Sequence, residues 1–203
     1  MTQLERLIEV MHTLRAKCPW DREQTHQSLM TYLIEETAEV VEAVENGSDE
    51  QLVEELGDLL LQVLFHAEIA SESGAFTLED IAQQNADKLI ARHPYIYADQ
   101  PVPDDVWMSW EKRKKAEKQR ESALDGIPGT LSALARANKV VTRIRTHEVA
   151  LDLADAAITT EQTGQAILDI VARAQLNHID PDQALRQAVR QLENQARQAE
   201  TEN

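Results

Sequence analysis

Three observations predict an all-α fold. Glycine and proline number only six each, aromatic residues make up 4% of the chain, and apolar residues recur at helical rather than alternating spacing. The 203 residues, rich in Ala, Leu, Glu and Gln, are enough for one generous domain or two small ones whose core needs no staples. Leu4, Leu7, Ile8, Met11 and Leu14 predict an amphipathic helix over 3–16, and Pro19 with Asp21 marks a loop behind it. Leu29, Leu33, Val40 and Val44 predict a second helix ending near Asn46-Gly47. Leu52, Leu56, Leu59, Val63 and Ile69 predict a third over 49–71. Its Leu59-Leu60-Leu61 run is apolar around most of the circumference, which places this helix centrally.

Thr77-Leu78-Glu79-Asp80 supplies an N-cap threonine and two acids that complement the dipole of a fourth helix, which His93-Pro94 stops after Arg92. Residues 94–103 read as a loop. Asp104 or Asp105 then opens a helix through Trp107, Trp110 and the basic stretch Lys112 to Arg120. Gly126-Ile127-Pro128-Gly129 is a break that Thr130 caps into a helix over 131–146, and two weaker helices follow over 159–175 and 181–200. The boundary falls at 122–130, dividing the chain into an N-terminal domain, 1–121, and a helical C-terminal segment, 122–203.

A formal charge of −16 argues against a nucleic-acid-binding role, because such affinity rests largely on Lys and Arg neutralising phosphates. A small phosphorylated substrate is compatible with that charge if a metal bridge and a local basic patch overcome the global field. Cys18 is the single cysteine, so no intramolecular disulfide forms. With neither a signal peptide nor an apolar run of ~18 residues, a cytoplasmic protein with no membrane association is expected.

The acids between Glu35 and Asp58 carry the chemistry. At ~3.6 residues per turn, Glu35, Glu36 and Glu39 share an arc of about 100°, and Glu55 and Asp58 lie about 60° apart. If the two helices fold back around Gly47, Glu36 comes level with Asp58 and Glu39 with Glu55. Four carboxylates so crowded need a cation, and oxygen-only ligands suit Mg²⁺. A solvated acidic face is the plainer reading of such a cluster. Against it, Glu36 interrupts the apolar stripe Leu29, Leu33, Val40 and Ala43, where an unpaired carboxylate costs several kcal/mol.

Cys18-Pro19-Trp20-Asp21, Gln24-Thr25, Tyr32-Leu33 with Glu35-Glu36 and Glu39, Glu55-Leu56-Gly57-Asp58-Leu59-Leu60, and Lys88 with Arg92-His93-Pro94 follow one another in an order that resembles the MazG family of nucleoside triphosphate pyrophosphohydrolases. The resemblance covers the first ~120 residues and implies a helical bundle of the all-α pyrophosphatase type, completed as a homodimer. It implies cleavage between the α- and β-phosphates of nucleoside triphosphates, giving NMP and pyrophosphate. Glu36, Glu39, Glu55 and Asp58 match the family's Mg²⁺ ligands, and Glu35 is left to orient or deprotonate water. Lys88 and Arg92, one turn apart, match its triphosphate-binding pair, although a cationic helix end also complements the dipole. Trp110 with Lys114 resembles its Trp-x3-Lys segment near the nucleotide, and Trp107 reads as core or interface packing. Trp20, Asp21 and Gln24 are candidates for base or dimer contacts, with packing as the alternative for Trp20.

Two other readings stay open. Glu9-x-x-His12 and Glu23-x-x-His26 have the spacing of a carboxylate-bridged di-iron bundle, and a non-enzymatic helical interaction protein would leave the acids solvated. A faint internal echo lays Glu54 to Asp58 over Glu161 to Gln165. Read as a repeat, it makes the C-terminal segment an acid-poor second copy with a structural role, expected to bury Leu168, Ile170, Val171 and Leu192; the alternative is a chance likeness within an Ala/Gln/Leu-rich helical tail.

Overall fold

The computed structural model describes residues 1–202. Among these the chain is all-α: ten helices, no strand, and no helix long and apolar enough to cross a membrane. It forms two compact units, Met1–Ala91 and the residues from Arg92 onward. That division precedes the boundary expected at 122–130. The glycine- and proline-rich break there is a real interruption between helices, yet side chains on both of its sides pack into the same unit.

The N-terminal unit contains α1 (Gln3–Lys17), α2 (Pro19–Glu23), α3 (Met30–Asn46), α4 (Asp49–Glu72) and most of α5 (Leu78–Arg92). Thr2 and Glu5 form a capping box on α1, and Ser48 with Gln51 forms another on α4. Residues 19–23, expected as loop, make one helical turn begun by Pro19, whose fixed φ suits a first helical position. Arg15 is buried and donates to the backbone carbonyls of Asp21 and Gln24. Its fork also clamps Glu72 at 2.6 and 2.9 Å, tying α1 to the end of α4.

Gly47 is required at the α3–α4 turn, since a Cβ there would sit 2.7 Å from the Ala43 carbonyl oxygen. The core comprises Met11, Leu29, Leu64 and Phe65. Full burial on α4 is therefore confined to Gln62–Ala70, and one face of its first half, with Val53, Leu56 and Leu60, stays exposed within the unit.

The C-terminal unit contains α6 (Pro94–Tyr97), α7 (Val106–Glu117), α8 (Ala133–Thr146), α9 (Thr160–Leu176) and α10 (Pro181–Thr201). Asp105 caps α7 by accepting from Met108 N–H at 2.8 Å. Ser132, rather than the expected Thr130, caps α8, because the helix begins two residues later than its apolar pattern suggested. Val140, Ile144, Val189 and Ala196 join α8 to α10 in a core shared with Leu124.

α9 contributes no buried residue. Leu168, Ile170 and Val171 are exposed, contrary to expectation, and only Leu192 packs on the α8–α10 core. The capping boxes also align Ser48 with Thr159 and Gln51 with Gln162, which puts Glu55 opposite Ala166. The echo that paired Glu55 with Gln162 is thus out of register with the helix starts.

Candidate functional site

α3 and α4 pack as a tight hairpin, and helical spacing on each brings Glu36, Glu39 and Glu55 together. Carboxylate oxygens of the three lie within 4.8 Å of one another, and they are the one such His/Cys/Asp/Glu group among the described residues. Asp58 lies outside that group but close enough for its charge to act on both Glu36 and Glu55. The Glu36 carboxyl is held above the usual carboxylate range, first by desolvation, then by the charges of Asp58, Glu39 and Glu35 and a hydrogen bond to Glu39. Glu55 is raised by desolvation and by Glu39, Glu54 and Asp58. No protein cation is among the groups that act on either. An all-oxygen donor set with uncompensated charge fits a hard divalent cation. Glu35 is exposed on α3 beside this group.

The remaining candidates lie at the start of the C-terminal unit. Arg92, expected to reach a phosphate, is buried, and its fork is taken by Glu117 at 2.8 and 3.1 Å. Its guanidinium also lies 5.1 Å from the Trp110 ring centroid, and Lys114 Nζ lies 4.6 Å from it. Trp107 is half exposed, so it is not part of the chain's own core, and it stacks on Trp110 with centroids 5.5 Å apart. The indole pair thus presents Trp107 to solvent, with Trp110 held behind it by two cations. Lys88, on α5, is half-buried.

Sequence reasoning passed over Glu111, which is 0% exposed and surrounded by cations: Arg143 Nε at 3.1 Å, and Lys114 and Lys139 Nζ at 3.7 Å. Lys139 and Arg143 stand one turn apart on α8, the same spacing signal as Lys88 and Arg92, and that signal could have been read.

Trp20 packs edge-on against Tyr32 and Phe65, at 5.8 and 6.1 Å, with half its surface exposed. Asp21 is buried under Arg15, and Gln24 bonds back to the Trp20 carbonyl, so both serve the local turn. The Glu-x-x-His pairs do not converge. His12 bonds Glu68 at 3.1 Å, and His26 stacks on His66 with their Nδ1 atoms 2.7 Å apart.

The MazG nucleotide pyrophosphohydrolase domain profile matches residues 24–97, the stretch that carries the acid cluster. The chain is 36% identical to the nucleoside triphosphate pyrophosphohydrolase/pyrophosphatase MazG of Thermotoga maritima over 93% of its own length and 82% of that protein. It is 43% identical to the nucleoside triphosphate pyrophosphohydrolase of Escherichia coli K12 over 70% of its length and 57% of that protein. It is also 47% identical to the uncharacterized protein YabN of Bacillus subtilis over 61% of its length. That match spans 26% of YabN, so this chain corresponds to a part of some relatives and to most of others. By the domain match and the near full-length relative, the chain belongs to the MazG nucleotide pyrophosphohydrolase family.

Proposed function

We propose that the chain hydrolyses nucleoside triphosphates between the α- and β-phosphates, releasing NMP and pyrophosphate, with Mg²⁺ held by Glu36, Glu39 and Glu55 and with Asp58 as a fourth acid. The observation that carries this reading is the convergence of three carboxylates with no protein cation to neutralise them. Bound there, the ion would offset phosphate charge and make Pα a better electrophile. Glu35, exposed one position before Glu36, accepts the proton of the attacking water. The water oxygen bonds to Pα, the Pα–O bond toward Pβ breaks, and its electron pair leaves with pyrophosphate. On the C-terminal unit, Trp107 and Trp110 offer a base a stacking face and Lys114 offers the phosphates a cation. Arg92, held by Glu117, serves this arrangement by fixing the Trp110 ring.

A homodimer belongs to the same proposal. Val53, Leu56, Gly57 and Leu60 form one exposed stripe on the first half of α4, with Val53 72% exposed, and a Cβ at Gly57 would meet nothing within 4 Å. An apolar stripe around a helical glycine that packs on nothing suits a second copy of the chain. The free Cys18 suits a reducing, cytoplasmic setting.

Incubation with a panel of ribo- and deoxynucleoside triphosphates, with and without Mg²⁺, tests the reaction. Metal-dependent NMP and pyrophosphate are expected. NDP and orthophosphate as primary products would reject it, because attack at Pγ leaves different molecules.

A further inference from the structure

Glu111 is fully buried, and a carboxylate out of water costs several kcal/mol unless it is paired. Arg143 is the buried cation that faces it, as an ion pair with no hydrogen bond to either Glu111 oxygen. It is 1% exposed, stands 3.1 Å from Glu111 Oε2, and is anchored by donating to the Ala123 carbonyl at 2.8 Å. Lys114 and Lys139 bring two further positive charges to the same carboxylate. Both ammonium groups lie 3.7 Å from the same Glu111 oxygen, beyond hydrogen-bond range, so Glu111 holds them by charge and leaves their N–H donors free of it. Both reach solvent, with 21% and 32% of their side chains exposed, whereas Arg143 does not. Three cations around one carboxylate leave two positive charges in excess, within a chain whose net charge is −16. Two like charges drawn to one point and open to water form a seat for an anion. Lys114 also lies on Trp110, so an aromatic face stands beside that seat.

We infer that Lys139 is a further phosphate-binding residue and that Glu111 is the positioning residue that holds Lys139 and Lys114 as one cationic pair for the phosphate chain of a nucleotide. The inference rests on the pyrophosphohydrolase reading for the identity of the anion. It gives the C-terminal segment a share in substrate binding, since Lys139 and Arg143 both come from α8.

Calorimetric titration of the full chain with inorganic tripolyphosphate in metal-free buffer tests the pair without requiring turnover. Lys139→Gln should weaken binding about tenfold, the scale of one charge-assisted contact, with an unchanged melting temperature. Lys112→Gln, which removes an exposed charge from the same helix as Lys114, should bind as wild type. Glu111→Gln separates positioning from field. Removing a negative charge near an anion tightens binding if charge alone matters, and weakens it if Glu111 holds the pair in place. In turnover, Lys139→Gln should raise KM for the nucleoside triphosphate about tenfold with kcat within about twofold.

Wild-type affinity in Lys139→Gln, or tighter binding by a folded Glu111→Gln, would overturn the inference. Should Glu111→Gln not fold, Lys139→Gln decides alone. Loss of tripolyphosphate binding in Lys139→Gln, together with no pyrophosphate release from any nucleotide, would remove the proposed reaction and leave the anion seat standing. Unaltered binding in an active enzyme would do the reverse.

Discussion

Glu36 and Glu111 are both helical glutamates drawn out of water, and the fold surrounds them in opposite ways. Around Glu36 stand Glu35, Glu39 and Asp58; around Glu111 stand Arg143, Lys114 and Lys139. In the first place charge of one sign accumulates until a carboxyl is pushed above its ordinary range. In the second a single acid gathers more cations than it can neutralise. Neither balances internally. A protein holding a cluster only for stability closes its charge, as Arg15 with Glu72 does between α1 and α4. The two imbalances, each within its own unit, underlie the two proposals: a divalent cation among the acids and a phosphate chain beside the lysines.

The largest effect expected from this contrast is on stability. Arg143→Met removes the only buried partner of Glu111, and breaking one side of a buried pair costs about 3–5 kcal/mol. Chemical denaturation followed by circular dichroism should show a loss of that size. A loss under about 1 kcal/mol would mean that Lys114 and Lys139 already neutralise Glu111, and the surplus argument would fail.

The acid cluster should behave the other way. Glu39→Gln removes a repelling charge, so the metal-free protein should melt no lower than wild type, while kcat for pyrophosphate release falls about a hundredfold or more through loss of a ligand. Asp58→Asn, outside the group of three, should cost less. Near-wild-type kcat in Glu39→Gln would remove α3–α4 as the metal site.

The two clusters also differ in how far the sequence reveals them. Glu36, Glu39 and Glu55 obey helical spacing on either side of a glycine, and Gly47 does permit the close turn that brings them level. The major helices are legible for the same reason, since their apolar spacing extends over several turns. Pro19–Glu23 and Pro94–Tyr97 are too short to show a period and read as loop. Glu111 was hidden because Trp110-Glu111-Lys112-Arg113-Lys114 looks like a solvated, charged helix face, and the partner that explains its burial lies on a different helix. Arg92 was misplaced for a related reason: nothing in Lys88-x3-Arg92 announces that Glu117 will fold back onto the guanidinium.

The exposed stripe of Val53, Leu56 and Leu60 runs along the same helix as Glu55 and Asp58. Val53→Glu puts a charge into the exposed stripe and should weaken association by about 2 kcal/mol or more, as loss of a central interface anchor does. Light scattering at micromolar concentration should give a dimer mass for wild type and a shift toward monomer for the variant. A wild-type monomer with full activity would discard the dimer.

The smallest effect is a pH dependence that separates the crowded acids from the arginine-paired ones by sign. Glu36 and Glu55 have folded-state pKa values above the ordinary 4.5, so their ionisation penalises the folded state at neutral pH, and the penalty is relieved as pH falls toward 4.5. Glu72 and Glu117 are lowered, each first by a hydrogen bond from an arginine, Arg15 and Arg92 respectively. Their contribution is complete above 4.5 and is lost only as pH drops through their lower folded values. Metal-free protein should therefore melt slightly higher at pH 5 than at pH 7, then lose stability below 4.5. Mg²⁺ should abolish the rise, because a bound cation stabilises the ionised acids at pH 7, and it should leave the acid-side loss in place. A rise of equal size in a Glu36→Gln, Glu55→Gln double variant would show that the crowded acids are not its source.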